Sequence, residues 1–229
     1  MNHPSSTFNH PIENWVFATS ALRVAAGNYL ATDIGKIARQ TDNTTYWRLT
    51  GTTPTWEQFE AIVNFSTAAQ TPTAATRTYI IGSAISVGKL AVGAVFRWRF
   101  NMTKTAAGVA ASTIDIAFGT AGTTADTARV SFTKPAGVAA IDEALVEIEC
   151  IIRSINVSTG VAVGELTMVV NNTGGAGGHL ANLKWNLVLN TISANFDTTA
   201  PTFVGLCITT GAADVITIQQ VTAKATGLA

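Results

Sequence analysis

A chain of 229 residues is long enough for one sizeable core or for a small unit beside a medium one, and two unequal units are expected. Charged residues make up only 12%, with 14 Lys+Arg against 14 Asp+Glu, so there is no basic field for nucleic acid and no polybasic stretch for an anionic membrane. Alongside 47% hydrophobic residues, so few charges would leave a lone monomer poorly solvated, and oligomerisation or docking on a larger assembly is expected.

The N-terminal stretch MNHPSSTFNHPIENW lacks the basic start, apolar centre and small-residue cleavage site of a secretory signal, so synthesis in a cytosol is expected. No apolar run reaches the length of a membrane-spanning helix. Residues 1 to about 30 carry His3, Pro4, His10 and Pro11 and read as an irregular arm.

The next segments, Gly35-Lys36-Ile37-Ala38-Arg39-Gln40 and Tyr46-Trp47-Arg48-Leu49, alternate in character as two half-buried strands do, with Asp42-Asn43 as the turn between them. Trp47 and Trp56 would pack on that small sheet. The stretch 31–56, ATDIGKIARQTDNTTYWRLTGTTPTW, resembles a short module of bacteriophage tail-fibre, head-fibre and other virion-surface proteins. In those proteins the segment reads Asp-hydrophobic-Gly-Lys-hydrophobic-Ala-Arg-Gln, then a turn, an aromatic strand and a Pro-x-Trp close. The match runs from Thr32 through Trp56. The resemblance implies a virion component, docked on the particle through its N-terminal region with Trp15, Arg39, Trp47 and Trp56 as contacts. An ordinary hairpin whose tryptophans are only core is compatible with the same residues.

Residues 57–63 offer a helical turn or another strand, and STAAQTPTAAT (66–76) reads as a linker. From Arg77 onward, short β runs are separated by Gly, Asn and Thr clusters, with strands expected near 79–85, 92–102, 113–118, 128–132, 144–155, 161–170, 184–189, 202–209 and 215–223. Phe96, Trp98 and Phe100 fall on one face and Arg97 and Arg99 on the other; Val146, Ile148, Cys150 and Ile152 repeat the pattern against Glu147 and Glu149. The expected fold is all-β: an antiparallel β-sandwich, best matched by a jelly roll, preceded by a small arm and hairpin module. The division is 1–65 for arm and docking hairpin, 66–76 for the linker and 77–229 for the sandwich.

Catalytic chemistry has little to stand on. Glu147 and Glu149 lie roughly 7 Å apart on one strand face, within the range of an inverting glycosidase pair, but neighbours on one strand do not flank a bond across a cleft. Asp142-Glu143 reads as a turn, because hard cations want several converging oxygens. Gly174-Gly175-Ala176-Gly177-Gly178-His179 lacks the Gly-Lys-Ser/Thr of a phosphate cradle. His179 stands alone, so neither a metal set nor a nucleophile triad assembles. Cys150 and Cys207 sit in apolar runs and read as buried free thiols, a disulfide being open only if their strands are neighbours. His179 and Trp185 are the candidate contacts for a ligand, the tryptophan by stacking on a sugar. No cofactor, metal or catalytic residue is expected.

The reading is a non-enzymatic bacteriophage virion protein on the particle surface, a capsid decoration or head-fibre protein. Its expected partners are other virion proteins, in a homotrimer, with no nucleic acid and no membrane insertion. A tail-fibre tip recognising host-surface glycan, and a free carbohydrate-binding lectin module, are the alternatives.

Overall fold

The computed structural model describes residues 14–25, 27–41, 45–58, 61–87, 90–104, 110–134, 142–172 and 185–228. A four-stranded sheet comes first, ordered β1 (Trp15–Phe17), β2 (Ile37–Gln40), β3 (Thr45–Gly51) and β4 (Thr55–Gln58). The hairpin β2–β3 is antiparallel, as its alternation implies, whereas β1 lies parallel to β2. A parallel pair needs a crossover of a dozen or more residues. The crossover contains the helix α1 (Ser20–Ala25), built from good helix formers, with the Thr19 hydroxyl accepting the Leu22 N–H at 3.3 Å. Part of the expected arm is therefore ordered; residues 1–13 and the expected turn Asp42-Asn43 lie outside the described residues.

The rest is an antiparallel sandwich. The strands are β5 (Ala61–Ser66), β6 (Thr78–Tyr79), β7 (Ile85–Ser86), β8 (Val95–Lys104), β9 (Ser112–Gly119), β10 (Thr127–Lys134), β11 (Asp142–Asn156), β12 (Thr159–Asn172), β13 (Trp185–Ile192), β14 (Phe196–Asp197), β15 (Phe203–Thr209) and β16 (Ile216–Thr226). One sheet runs β13-β12-β11-β8-β16-β5 with β14 beside β12; the other runs β10-β9-β15-β6 with β7 also on β15. The chain crosses between the sheets repeatedly, including at β8–β9, β10–β11 and β15–β16, which gives the jelly-roll-like sandwich expected.

Strand alternation sets the core. Phe96, Trp98, Phe100 and Met102 from β8, with Val146, Ile148, Cys150 and Ile152 from β11, meet Ile114, Ile116, Phe118, Val130 and Phe132 of the facing sheet. Each large side chain buried there contributes about 2–3 kcal/mol. The Trp98 indole N–H, which would be orphaned in an apolar interior, donates to the Ser83 carbonyl at 2.7 Å.

Three expectations change. Residues 79–85 are not one strand: the chain turns at Ile81-Gly82, where Gly82 has φ +82 and a Cβ would meet the Phe65–Ser66 backbone at 2.6 Å. Of the stretch left open between helical turn and strand, 57–58 close β4 and 61–63 open β5, while 59–60 lie outside the described residues. Most consequential, β5 pairs with β16 as the edge of the large sheet, and Gln70, within the expected linker, exchanges backbone hydrogen bonds with Ile218 at 2.9 and 2.8 Å. The Gln70 side chain also donates to the Ile81 carbonyl and accepts from its N–H. The sandwich thus starts at Ala61, ahead of the expected boundary at 77, because small polar residues that look unstructured in sequence find backbone partners in space.

Cys150 and Cys207 are buried and free. Cys150 points into the core; Cys207, between the inward-facing Leu206 and Ile208, points to the opposite face beside Asp115 and Tyr79. Burial pushes both thiols up to about 12, so they stay protonated near neutrality.

Candidate functional site

The N-terminal sheet buries one face and opens the other. Trp15, Phe17, Ala38 and Leu49 form its core, with Tyr29 and Trp56 packed against them. Trp56 is the hub: Trp15, Phe17 and Tyr29 meet it edge-on at centroid distances of 5.9, 6.0 and 5.5 Å. Arg23 of α1 closes the other end, its guanidinium 3.6 Å from the centre of the Trp47 ring and its Nε donating to Gln40 Oε1 at 3.2 Å. Burial pushes the Tyr29 hydroxyl up to about 12, partly offset by Arg23. The segment that carries the virion-protein resemblance has its own structural logic. Asp33 is buried, accepts from the Leu30 N–H at 2.8 Å and from Lys36 Nζ at 2.6 Å, and so pins the turn, while Gly35 supplies φ +94.

Of the four expected docking residues, Trp15 is therefore buried in the small core, Trp47 is buried beneath Arg23 and Trp56 is half-buried among aromatic rings. Arg39 lies on the opposite, open face, in register with Val16 and Tyr46. What the module exposes instead is aliphatic: Leu22 and Val24 on α1, with Leu30 and Ile34 on the following turn, each about half exposed. Sequence reasoning missed these four, because a six-residue helix is too short to show a periodic signal.

The second feature is the outward face of the large sheet. Arg97 and Arg99 on β8 stand in register with Glu149 and Glu147 on β11. Arg97 Nε reaches Glu149 Oε2 at 2.6 Å and Arg99 Nε reaches Glu147 Oε1 at 3.5 Å. Glu165, Thr167, Thr222 and Lys224 complete the rim of a shallow depression of about 440 Å³. Each glutamate of the former glycosidase candidate thus faces a guanidinium rather than its fellow carboxylate across a cleft.

The strongest ionic cluster escaped the sequence. Arg77 forks onto Asp115, Nε to Oδ2 at 3.0 Å and Nη2 to Oδ1 at 2.6 Å, and its Nη1 donates to the carbonyls of Thr124 and Asp126. The bonds to Asp115 raise the guanidinium's pKa further. Asp126 in turn accepts from the N–H groups of Ala121 and Gly122. This cluster closes the 120–126 loop onto β9. Among the described residues there is no group of three His, Cys, Asp or Glu placed to hold a metal, and no helix long and apolar enough to cross a membrane. His179 lies outside the described residues; Trp185 opens β13 opposite Val170, and its side chain is likewise outside them.

No protein-family model matches the chain, and no curated protein matches it. Among solved structures it is similar to a legume lectin-like domain from Entamoeba histolytica, at 7% identity over 70% of this chain and 89% of that one, TM-score 0.22. It is also similar to a chain in the structure of infectious bursal disease virus Gx strain, at 14% identity over 80% of this chain and 49% of that one, TM-score 0.20. Likenesses this slight carry no functional argument.

Proposed function

We propose that this chain is a non-enzymatic structural protein of a bacteriophage virion surface, a capsid decoration or head-fibre protein docked through its N-terminal module. The observation that supports this reading is the pairing of two features in residues 14–58: the segment resembling virion-surface modules, and a separate aromatic-cored sheet that leaves Leu22, Val24, Leu30 and Ile34 open. Four exposed aliphatic side chains on so small a unit are a feature of surfaces that end in a contact. The test is rebinding of the purified full chain to particles of the encoding phage that lack it. Wild type should rebind, and the variant Leu22→Ser/Leu30→Ser, folded by circular dichroism, should lose most of that binding. Equal rebinding by both would remove the module as the docking element.

A host-glycan reading, as a tail-fibre tip or lectin, draws on the depression lined by Arg97, Arg99, Glu147 and Glu149, whose charged groups could hydrogen-bond sugar hydroxyls. Glycan-array binding by the isolated protein, abolished by Glu149→Gln, would favour it over the particle-docking reading.

A further inference from the structure

We propose that the outward face of the seven-stranded sheet is the interface of a two-fold symmetric dimer of this chain. The order of the charges on that face carries this, independently of the virion reading. At one level across the sheet the outward residues on β12, β11, β8 and β16 are Glu165, Glu149, Arg97 and Lys224. At the next level they are Thr167, Glu147, Arg99 and Thr222. At these two levels all the negative charge lies on one side of the β11/β8 boundary and all the positive charge on the other; Arg153 on β11 lies beyond them.

Within one chain that order is poor. Glu165 sits directly across from Glu149, and Lys224 directly across from Arg97, and like charges in cross-strand register disfavour the sheet. Between two chains the same order becomes an asset. Half a turn about a line parallel to the strands, midway between β11 and β8, lays Glu165 over Lys224, Glu149 over Arg97 and Glu147 over Arg99, each contact occurring twice. The perpendicular two-fold would lay glutamate on glutamate, and a three-fold axis cannot lay one face on itself.

The apolar residues obey the same axis. The boundary between β11 and β8 is the midline of the run from β13 to β5, so β13 of one copy falls over β5 of the other. The outward residues there are Val188 and Ile192 on β13, and Ile62 and Phe65 on β5, at 53, 58, 56 and 63% exposure. Aliphatic groups on one edge thus meet aliphatic and aromatic groups on the other, flanking a charged centre. Strands about 4.8 Å apart and same-face residues about 6.8 Å apart give this face roughly 800 Å² per copy, the size of a standard specific interface. Among the described residues, none in the N-terminal sheet lines either depression on it.

The experiment is light scattering on the full chain with two single variants, Glu165→Lys and Lys224→Glu. Wild type should be a dimer that weakens as salt rises. Each variant replaces a like-charge neighbour within the chain by an opposite one, and for Glu165→Lys the folded monomer should melt no earlier than the wild-type monomer. Each also sets like charges over one another twice in the dimer, so self-association should weaken at least tenfold. An equimolar mixture of the two variants should form a heterodimer, because each lysine at 165 then meets a glutamate at 224, and the double variant should dimerise with itself. A monomeric or trimeric wild type, single variants that associate as well as wild type, or a mixture that stays monomeric would each overturn the proposal.

Discussion

At Arg77 one side chain holds together parts of the chain that are far apart in sequence: it grips Asp115 on β9 with two bonds and the 120–126 loop with two more. Asp115 is 4% exposed, so the guanidinium is what makes a carboxylate tolerable at that position. Removing one partner of a buried pair is costly because the other charge is left behind. Arg77→Ala should therefore lower unfolding stability by about 3 kcal/mol, discounted from the 3–5 kcal/mol of a fully buried pair because Arg77 is partly exposed. Arg77→Lys should recover only part, since an ammonium cannot make the bidentate fork. Urea unfolding of the two variants is the measurement, and a loss within about 0.5 kcal/mol of wild type for Arg77→Ala would show that the cluster is decoration. Nothing in the sequence marked this arginine. It stands at the edge of a polar run, and its partners lie dozens of residues away.

Single strands were legible where period-two alternation is strong. The run Val95-Phe96-Arg97-Trp98-Arg99-Phe100 announces both its inward face and its outward one, and β8 and β11 appear where they were expected. Alternation fixes which face a residue takes but not which residue stands opposite, so the register that aligns Glu165 with Glu149 and Lys224 with Arg97 could not be read. The short elements fail for another reason. β1 has three residues, and the six residues of α1, besides their Thr19 cap, are held by Arg23 stacking on Trp47. That same cover, unseen in the sequence, buries Trp47, which the resemblance implies as a contact. β5 and the Gln70 bridge make the corresponding point for domain limits: both belong to the sandwich, though the composition of 66–76 reads as a linker. A chain beginning at Ala61 should fold as a stable sandwich. One beginning at Arg77 lacks β5, bares the backbone edge of β16 and should aggregate or melt markedly lower. Equal melting temperatures for the two would mean that β5 contributes nothing to the fold.

The molecule as a whole has two apolar clusters of very unequal size among the described residues: a large one between the sheets of the sandwich, and a small one of Trp15, Phe17, Ala38 and Leu49 with Tyr29 and Trp56 around it. Stability grows with the apolar surface a unit can bury, and a sheet of four short strands buries little. Local units open with free energies set by their own contacts, so the N-terminal sheet should unfold before the sandwich. The tryptophans allow this to be seen. Trp15, Trp47 and Trp56 report on the small unit and Trp98 on the large core, whereas the strand signal in far-ultraviolet circular dichroism comes mostly from the sandwich. In a urea titration the fluorescence transition should therefore precede the dichroism transition, and replacing Trp98 and Trp185 of the sandwich together by Phe should sharpen the separation by removing its reporters. Arg23→Ala, which uncovers Trp47, should move the fluorescence midpoint further down and leave the dichroism midpoint where it was. Coincident transitions in wild type, or a variant that shifts both midpoints together, would mean that the two cores form one cooperative unit and that the small sheet is an extension of the sandwich.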